Sequence, residues 1–321
     1  MEKQANFLPV RTAGYFKDFL LPTFSLLAVL IPIIILRPRV LQYEGLNLLL
    51  NMVIPVSLAT IAQMFAMSIG EIDFSIENLV SLVTCIVGTL IPRHPLLGIS
   101  MLAGILLIYA TIGAFIYLKK LPSIIVTIGM SFVWTGLAVT IQPHPGGDVP
   151  VIIQKIMSWK APLVPMPIWY LVILSIVAYV ILYRTNFGIL VRGLGGNQKS
   201  ISQAGHSVFK LHILVFMIVG IFGILSGIAL AGITTSADAN LAKNYTLLAV
   251  ASVILGGGSF SGGKVSPVGA VLGACTMTLV GTLLTFLKIS PDWQIGSQGG
   301  IILAVLFINS RLKRRGKVPY V

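Results

Sequence analysis

Apolar residues fall along this chain in long unbroken blocks, not at the spacing of a half-buried surface helix. Ten blocks stand out, at 19–36, 46–69, 76–91, 96–118, 123–141, 167–183, 211–235, 245–256, 267–287 and 295–309. A helix needs roughly 20 apolar residues to cross a bilayer, with about 17–25 usual. In lipid only a helix or a closed barrel satisfies every backbone N–H and C=O internally. The pattern predicts an all-α integral membrane protein with about ten transmembrane helices in one domain over residues 1–321. The blocks at 76–91 and 245–256 are short for a full crossing and are expected to be tilted, broken or re-entrant.

Composition and charge sharpen that picture. Hydrophobic residues make up 56% of the chain and charged ones 10%, with a mean hydropathy of +0.96. A soluble domain carries about 25% charged residues, so lipid must cover most of this surface. The net charge of +13 raises nucleic acid as a partner. Lys and Arg lie in the gaps between apolar blocks instead of one patch, however, and no nucleic-acid partner is expected. An even number of spans puts both termini on one side. With that side cytoplasmic, 15 Lys and Arg fall inside and 7 outside, as the positive-inside rule requires. The expected location is the inner (plasma) membrane, with cytoplasmic tails at about 1–18 and 310–321. Block 19–36 has no small-residue cleavage site after it and reads as a retained helix. Cys85 and Cys275 lie in apolar blocks, which leaves no disulfide framework.

Three polar stretches carry the candidate chemistry. Residues 184–210 read RTNFGILVRGLGGNQKSISQAGHSVFK, with Arg184, Arg192, Lys199 and Lys210 and no acidic residue. Gly193, Gly195 and Gly196 are expected to break the backbone, with Asn197 capping a short helix over 198–204 that ends at Gly205. Residues 70–78, GEIDFSIEN, hold three of the nine acidic residues, Glu71, Asp73 and Glu77. Ionisable groups in such a setting face a cavity or the interface, and Asp73 or Ser75 is expected to accept from backbone N–H groups at the start of the next helix. Residues 255–269, LGGGSFSGGKVSPVG, match G-x-x-x-x-G-K at Gly258, Gly263 and Lys264. Val265 stands where a phosphate loop needs Ser or Thr, so no nucleotide site is assigned. The glycines are expected to let helix ends approach closely or to expose backbone at a break. Gly70 precedes Phe74-Ser75 as Gly256 precedes Phe260-Ser261, and Val87-Gly88-Thr89-Leu90 recurs as Val280-Gly281-Thr282-Leu283. The offsets of 186 and 193 residues suggest an internal repeat with a seven-residue insertion.

Other polar positions carry less. The outer segment 142–166, rich in proline and glycine, reads as a loop with a short surface helix over 151–159. Asn51, Gln63 and Asn78 sit in apolar blocks, where an interhelical hydrogen bond is the plain reading and a path-lining role the sharper one. The four histidines are scattered without ligand spacing, so no metal site is assigned. No catalytic triad and no cofactor are expected.

Together the three stretches resemble the permease subunits of bacterial ABC importers for ribose and other monosaccharides. The family's G-I-D-L-S-V-G is Glu71-Ile72-Asp73-Phe74-Ser75-Ile76-Glu77 here. Its cytoplasmic G-G-N…A…G-I is Gly195-Gly196-Asn197…Ala204-Gly205-His206, and its L-G-G-x-S-x-x-G-G-x-G is Leu255-Gly256-Gly257-Gly258-Ser259-Phe260-Ser261-Gly262-Gly263-Lys264-Val265. Glu71 and Glu77 replace Gly, His206 replaces Ile and Val265 replaces Gly. The resemblance implies a non-enzymatic subunit that forms the translocation path for a sugar-like solute. Its partners would be a second permease subunit, identical or related, a cytoplasmic ABC ATPase that hydrolyses ATP, and a periplasmic solute-binding protein. The ATPase-coupling loop would be 184–210, with Arg192, Gly195, Gly196, Asn197, Ala204, Gly205 and His206. Asp73, Ser75, Asn78, Gly257, Gly258, Ser259, Gly262 and Gly263 would form the translocation path or its structural motif. The rival reading is an ion-driven secondary transporter or channel without an ATPase, using Glu71, Asp73 and Glu77 as ion or proton groups.

Overall fold

The computed structural model describes residues 13–290 together with 293, 296, 297, 299 and 300. Most of block 295–309 and the tails at 1–12 and 310–321 lie outside the described residues. Among those described, seven helical segments are long and apolar enough to cross a membrane. They are Tyr43–Ser68, Ile76–Arg93, Pro95–Lys119, Ser123–Ile141, Met166–Arg184, Val208–Thr234 and Pro267–Phe286. Two shorter apolar helices cover Pro22–Leu36 and Tyr245–Leu255.

In chain order, α1 (Ala13–Leu36) is already helical where a tail to residue 18 is expected. A 3₁₀ turn (Pro38–Leu41) leads to α2 (Tyr43–Asn51) and, almost without interruption, α3 (Val53–Ser68). After the non-helical residues 70–75 come α4 (Ile76–Cys85), a π-helical turn (Ile86–Leu90) and α5 (Ile91–Arg93). The block at 76–91 is therefore one continuous crossing with a π turn, which widens the helix locally without ending it. The hairpin of α6 (Pro95–Lys119) and α7 (Ser123–Ile141) comes next, then the short α8 (Val151–Ser158). Beyond it are α9 (Met166–Tyr179), extended by a second π turn (Val180–Arg184), α10 (Asn186–Gly196) and α11 (Gln198–Gln203). Then come α12 (Val208–Thr234), α13 (Tyr245–Leu255) and α14 (Pro267–Phe286).

The core is built around α12, which packs on α3, α4, α6 and α8. Small residues let it approach its neighbours, as lipid-embedded helices require. A Cβ at Gly220 would stand 2.9 Å from the Tyr109 ring, and one at Gly227 would stand 2.5 Å from Val83 Cβ. In contrast α7 buries only one stripe, through Ser123, Thr127, Trp134 and Ala138.

Contacts sort the connections into two ends of the bundle. At one end Tyr43 donates its hydroxyl to Ala161 O at 2.7 Å, and Lys160 pairs with Glu44 at 2.7 Å. The loop after α7 belongs to this end. Gly146 exchanges both backbone hydrogen bonds with Ala237, and Asp148 N–H donates to Gly88 O at 2.7 Å. The short helix expected over 151–159 is α8, whose Ile153 and Met157 cover Gly232. At the other end lie residues 70–75, the α6–α7 turn, α10, α11 and the loop 256–266.

Candidate coupling site

Residues 70–75 interrupt helix at this end of the bundle with Asp73 and Ser75 buried, and buried N–H groups freed from a helix need partners. All six have one. Gly70 and Glu71 N–H donate to Met67 O and Ala66 O at 3.1 Å each. Ile72 N–H donates to Ser123 Oγ and Phe74 N–H to Thr127 Oγ1, both at 3.0 Å. Ser75 N–H donates to Asp73 Oδ1 at 2.7 Å. The Gln63 amide, oriented to suit its neighbours, accepts from Asp73 N–H at 3.3 Å and donates to Asp73 O at 3.1 Å. The Asp73 carboxylate is fully buried and collects further donors, Ser75 Oγ at 2.7 Å and the Tyr109 hydroxyl at 2.8 Å. Tyr109 is held in turn by stacking on Trp134, with ring centroids 6.3 Å apart. Asp73 thus closes a two-residue side-chain turn, while Ser75 occupies the N-cap position of α4 without a side-chain capping bond.

Residues 184–210 contain the expected short helix, α11. Asn197 Oδ1 accepts from Lys199 N–H at 3.0 Å and Ser200 N–H at 3.3 Å, capping its N-terminus. Gly205 ends the turn at φ +82, beyond Ala204, and the exposed His206 donates its N–H to Ile201 O at 3.2 Å. The expected break at Gly193, Gly195 and Gly196 is absent, because α10 runs helically through all three. Their purpose is proximity. Gly193 receives the Ile201 side chain, and a Cβ on Gly195 would overlap the Ser68 carbonyl oxygen and the Gly263 nitrogen. Gly196 has open space around it. Arg192 stacks its guanidinium 4.3 Å from the Tyr183 ring centroid, and Tyr183 donates its hydroxyl to Val265 O at 2.8 Å.

All three motif stretches therefore meet backbone to backbone at one point. Gly263 N–H donates to Ser68 O at 2.9 Å. A Cβ on Gly262 would stand 2.9 Å from Gly70 N and 3.0 Å from Gly195 Cα. Gly257, Gly262 and Gly263 adopt φ of +90, +81 and +75, so the loop needs glycine for its path as well as for its contacts. Gly258 N–H bonds to Val253 O, and Ser259 N–H bonds to Lys264 O. The breaks at 70–75 and 256–266 face each other at the same end, each between a helix arriving there and a helix leaving. A repeat relating them joins hairpins of the same sense.

The stretch that leads to the second break is legible in sequence only as a short block. Helix α13 has 11 residues, roughly 16 Å at 1.5 Å per residue, and the chain before it descends beside α4 through successive turns closed by Leu241, Lys243 and Tyr245 N–H. Thr84 Oγ1 donates to Asp238 O at 3.3 Å, Ala242 N–H donates to Ser81 Oγ at 3.1 Å, and Glu77 N–H donates to Thr246 Oγ1 at 3.3 Å. The Glu77 carboxylate faces the N–H groups of Thr246 and Asn244 and the Lys243 ammonium, so it closes the positive end of α13. Asn78, its neighbour, is half-buried.

The description of one protein family, the permease component of branched-chain amino acid transport systems, fits residues 45–306 of this chain. The chain belongs to that permease family. Its curated relatives include the ribose import permease RbsC of Escherichia coli K12, 26% identical over 92% of this chain and 95% of the relative. The arabinose permease AraH of Azospirillum brasilense is 28% identical over 91% of this chain and 86% of the relative. The galactose/methyl galactoside permease MglC of Haemophilus influenzae is 32% identical over 44% of this chain and 42% of the relative. No solved structure matches. Membership makes the protein a multi-pass membrane transporter component, in keeping with the seven helices among the described residues that are long and apolar enough to cross a membrane.

Several residues that build this permease's site carry no sequence assignment. Tyr109 is one hydroxyl in the 25-residue apolar α6, and only the fold shows that it reaches Asp73. Ser123 and Thr127 lie one turn apart on α7, as Glu77, Ser81 and Thr84 do along α4. Those spacings are a readable signal, since polar side chains repeating every three or four residues in a span mark a polar stripe. Ser68, Tyr183 and Val265 contribute carbonyls, a ring and a hydroxyl that no residue pattern announces.

Proposed function

We propose that this chain is the membrane-spanning subunit of an ATP-driven importer for a monosaccharide or a similar polyhydroxylated solute. The family description speaks of branched-chain amino acids, whereas the relatives named above are permeases for ribose, arabinose and galactose; the similarity of the ribose and arabinose permeases along nearly the whole chain supports a sugar. In this reading the protein spans the membrane about ten times with both termini cytoplasmic. The motif junction lies at the cytoplasmic end. The chain works with a second permease subunit, a cytoplasmic ATPase that grips α11, and a periplasmic binding protein.

One observation carries the mechanism: Gly195 lies against Ser68 and Gly263, at the inner ends of two broken crossings. A push on the capped, exposed α11 passes through α10 into that junction without an intervening flexible side chain. Because packed junctions have discrete arrangements and do not flex continuously, ATP-driven closure of the ATPase would switch residues 70–75 and 256–266 together. Their movement would shift α4 and α14 and open the path to one side or the other.

The test is reconstitution of the permease in vesicles with its cognate ATPase and binding protein, supplied with labelled ribose, arabinose and galactose. ATP-dependent accumulation of one sugar is expected, abolished when the ATPase is omitted. Accumulation driven by a proton or sodium gradient with the permease alone would establish the ion-driven reading instead.

A further inference from the structure

Beside the motif junction is a cavity of ≈ 280 Å³, walled by the inner end of α9, α10, the glycine-rich loop and the first turn of α14. Two cations from distant parts of the chain line it, Arg192 and Lys264, and among the described residues no acidic side chain does. Arg192 is held in place by its stack on Tyr183, whose hydroxyl is itself tied to Val265. The N-cap Ser266, whose Oγ accepts from Gly269 N–H, and Val268 in the first turn of α14 line the cavity, which adds the positive end of a 20-residue helix. On the α9 side the wall is Tyr179, stacked 5.1 Å from Tyr183, and both Tyr179 and Val180 are exposed on the outer surface of the bundle. The cavity therefore opens where lipid meets the loops, at the level where tyrosines line a bilayer interface.

The geometry points to a binding site for a phosphate-bearing anion, filled by the headgroup of an acidic phospholipid from the adjoining leaflet. A phosphodiester between Arg192 and Lys264 would form charge-assisted hydrogen bonds to both, with its acyl chains running down the exposed face of α9. Basic pockets between helices at the cytoplasmic side suit acidic headgroups in this way. Such a lipid would bridge α10 to the glycine-rich loop across the Gly195–Gly263 contact, clamping the segment through which α11 acts. Binding is independent of the importer reading; only the effect on coupling rests on it.

The experiment uses the purified full chain in neutral detergent, titrated separately with dioctanoyl phosphatidylglycerol, dioctanoyl phosphatidylcholine and inorganic phosphate. Thermal midpoint and native mass spectrometry are the readouts. Phosphatidylglycerol should raise the midpoint and be retained where phosphatidylcholine is not. Arg192→Gln and Lys264→Gln should each weaken that retention roughly tenfold, the loss expected for one charged contact. Lys155→Gln at the opposite end should leave it unchanged. A phosphate response equal to that of phosphatidylglycerol, and lost in the same two variants, would overturn the lipid assignment in favour of a soluble phosphate compound. Phosphatidylglycerol binding that is unchanged in both variants, or matched by phosphatidylcholine, would overturn the site itself.

Discussion

Single atoms decide most at Gly195 and Asp73. No side chain can be added at Gly195 without driving a Cβ into the Ser68 carbonyl and the Gly263 nitrogen, and both obstacles are backbone, which cannot rotate aside. Gly195→Ala is therefore expected to separate α10 from the two breaks, whereas Gly196→Ala, with open space around it, should be tolerated. Sugar-stimulated ATP hydrolysis in the assembled transporter measures the difference: near wild type for the second variant, lost for the first. Asp73 poses a different question, because its carboxylate gathers three donors in a fully buried position. Asp73→Ala would strand the Ser75 N–H, at about 1–3 kcal/mol for a buried group left unpaired, and would leave the Tyr109 hydroxyl only Ser75 Oγ, 3.1 Å away. Asp73→Asn keeps one acceptor oxygen and should cost less. A thermal-midpoint ranking of wild type, Asn and Ala, in that order, is the expected result. An Ala variant as stable as wild type would mean that the network does not hold the break.

Among the elements, the one that local chemistry specifies best is α11. Its cap, its six residues and its terminating glycine depend on neighbouring side chains alone, so NQKSISQAG reads as a short capped helix without any knowledge of the fold. Asn197→Ala should destabilise that helix by about 1 kcal/mol, and Asn197→Ser should restore most of it. The expected readout is faster amide exchange over 198–203 in the Ala variant alone. The glycines at 193, 195 and 196 depart from the expected break for a physical reason. Glycine permits both a break and a close approach, and at Gly195 only the partner backbone of Ser68 and Gly263 decides between them. The segment 235–255 is equally hidden. A run of successive turns has no apolar periodicity of its own, and its partners Ser81 and Thr84 advertise themselves only as a weak stripe on α4. Glu77, which stands where the family motif has glycine, becomes intelligible once Asn244, Thr246 and Lys243 are seen around its carboxylate. Glu77→Gln keeps an acceptor for the amides but removes the charge facing Lys243 and the α13 terminus, and Glu77→Ala removes both. Stability should fall stepwise along that series, whereas a path-lining role without capping would leave stability flat and change uptake alone.

At the level of the whole molecule, sidedness is the property on which the mechanism turns. The fold divides the connections into two groups, one around Tyr43, Glu44, Lys160 and Gly146, the other around Gly70, Gly195 and Gly263. Contacts within each group are direct, so the groups must occupy opposite faces whichever way the chain is inserted. The expected ten-span topology puts both tails on the motif side, and its count of 15 Lys and Arg against 7 would set the motif end inside, where an ATPase could reach it. Cysteine labelling decides this cleanly in this protein, because its two native cysteines, Cys85 and Cys275, are buried and free. Ala204→Cys and Lys160→Cys place single thiols on exposed positions at the two ends. In intact cells a membrane-impermeant maleimide should modify the Lys160→Cys protein and spare Ala204→Cys, and permeabilisation should expose the second. Co-expression with the cognate ATPase should then shield Ala204→Cys in permeabilised cells, since the same surface would be gripped. Labelling of Ala204→Cys from outside would invert the molecule and remove any route by which ATP hydrolysis reaches the Gly195 junction.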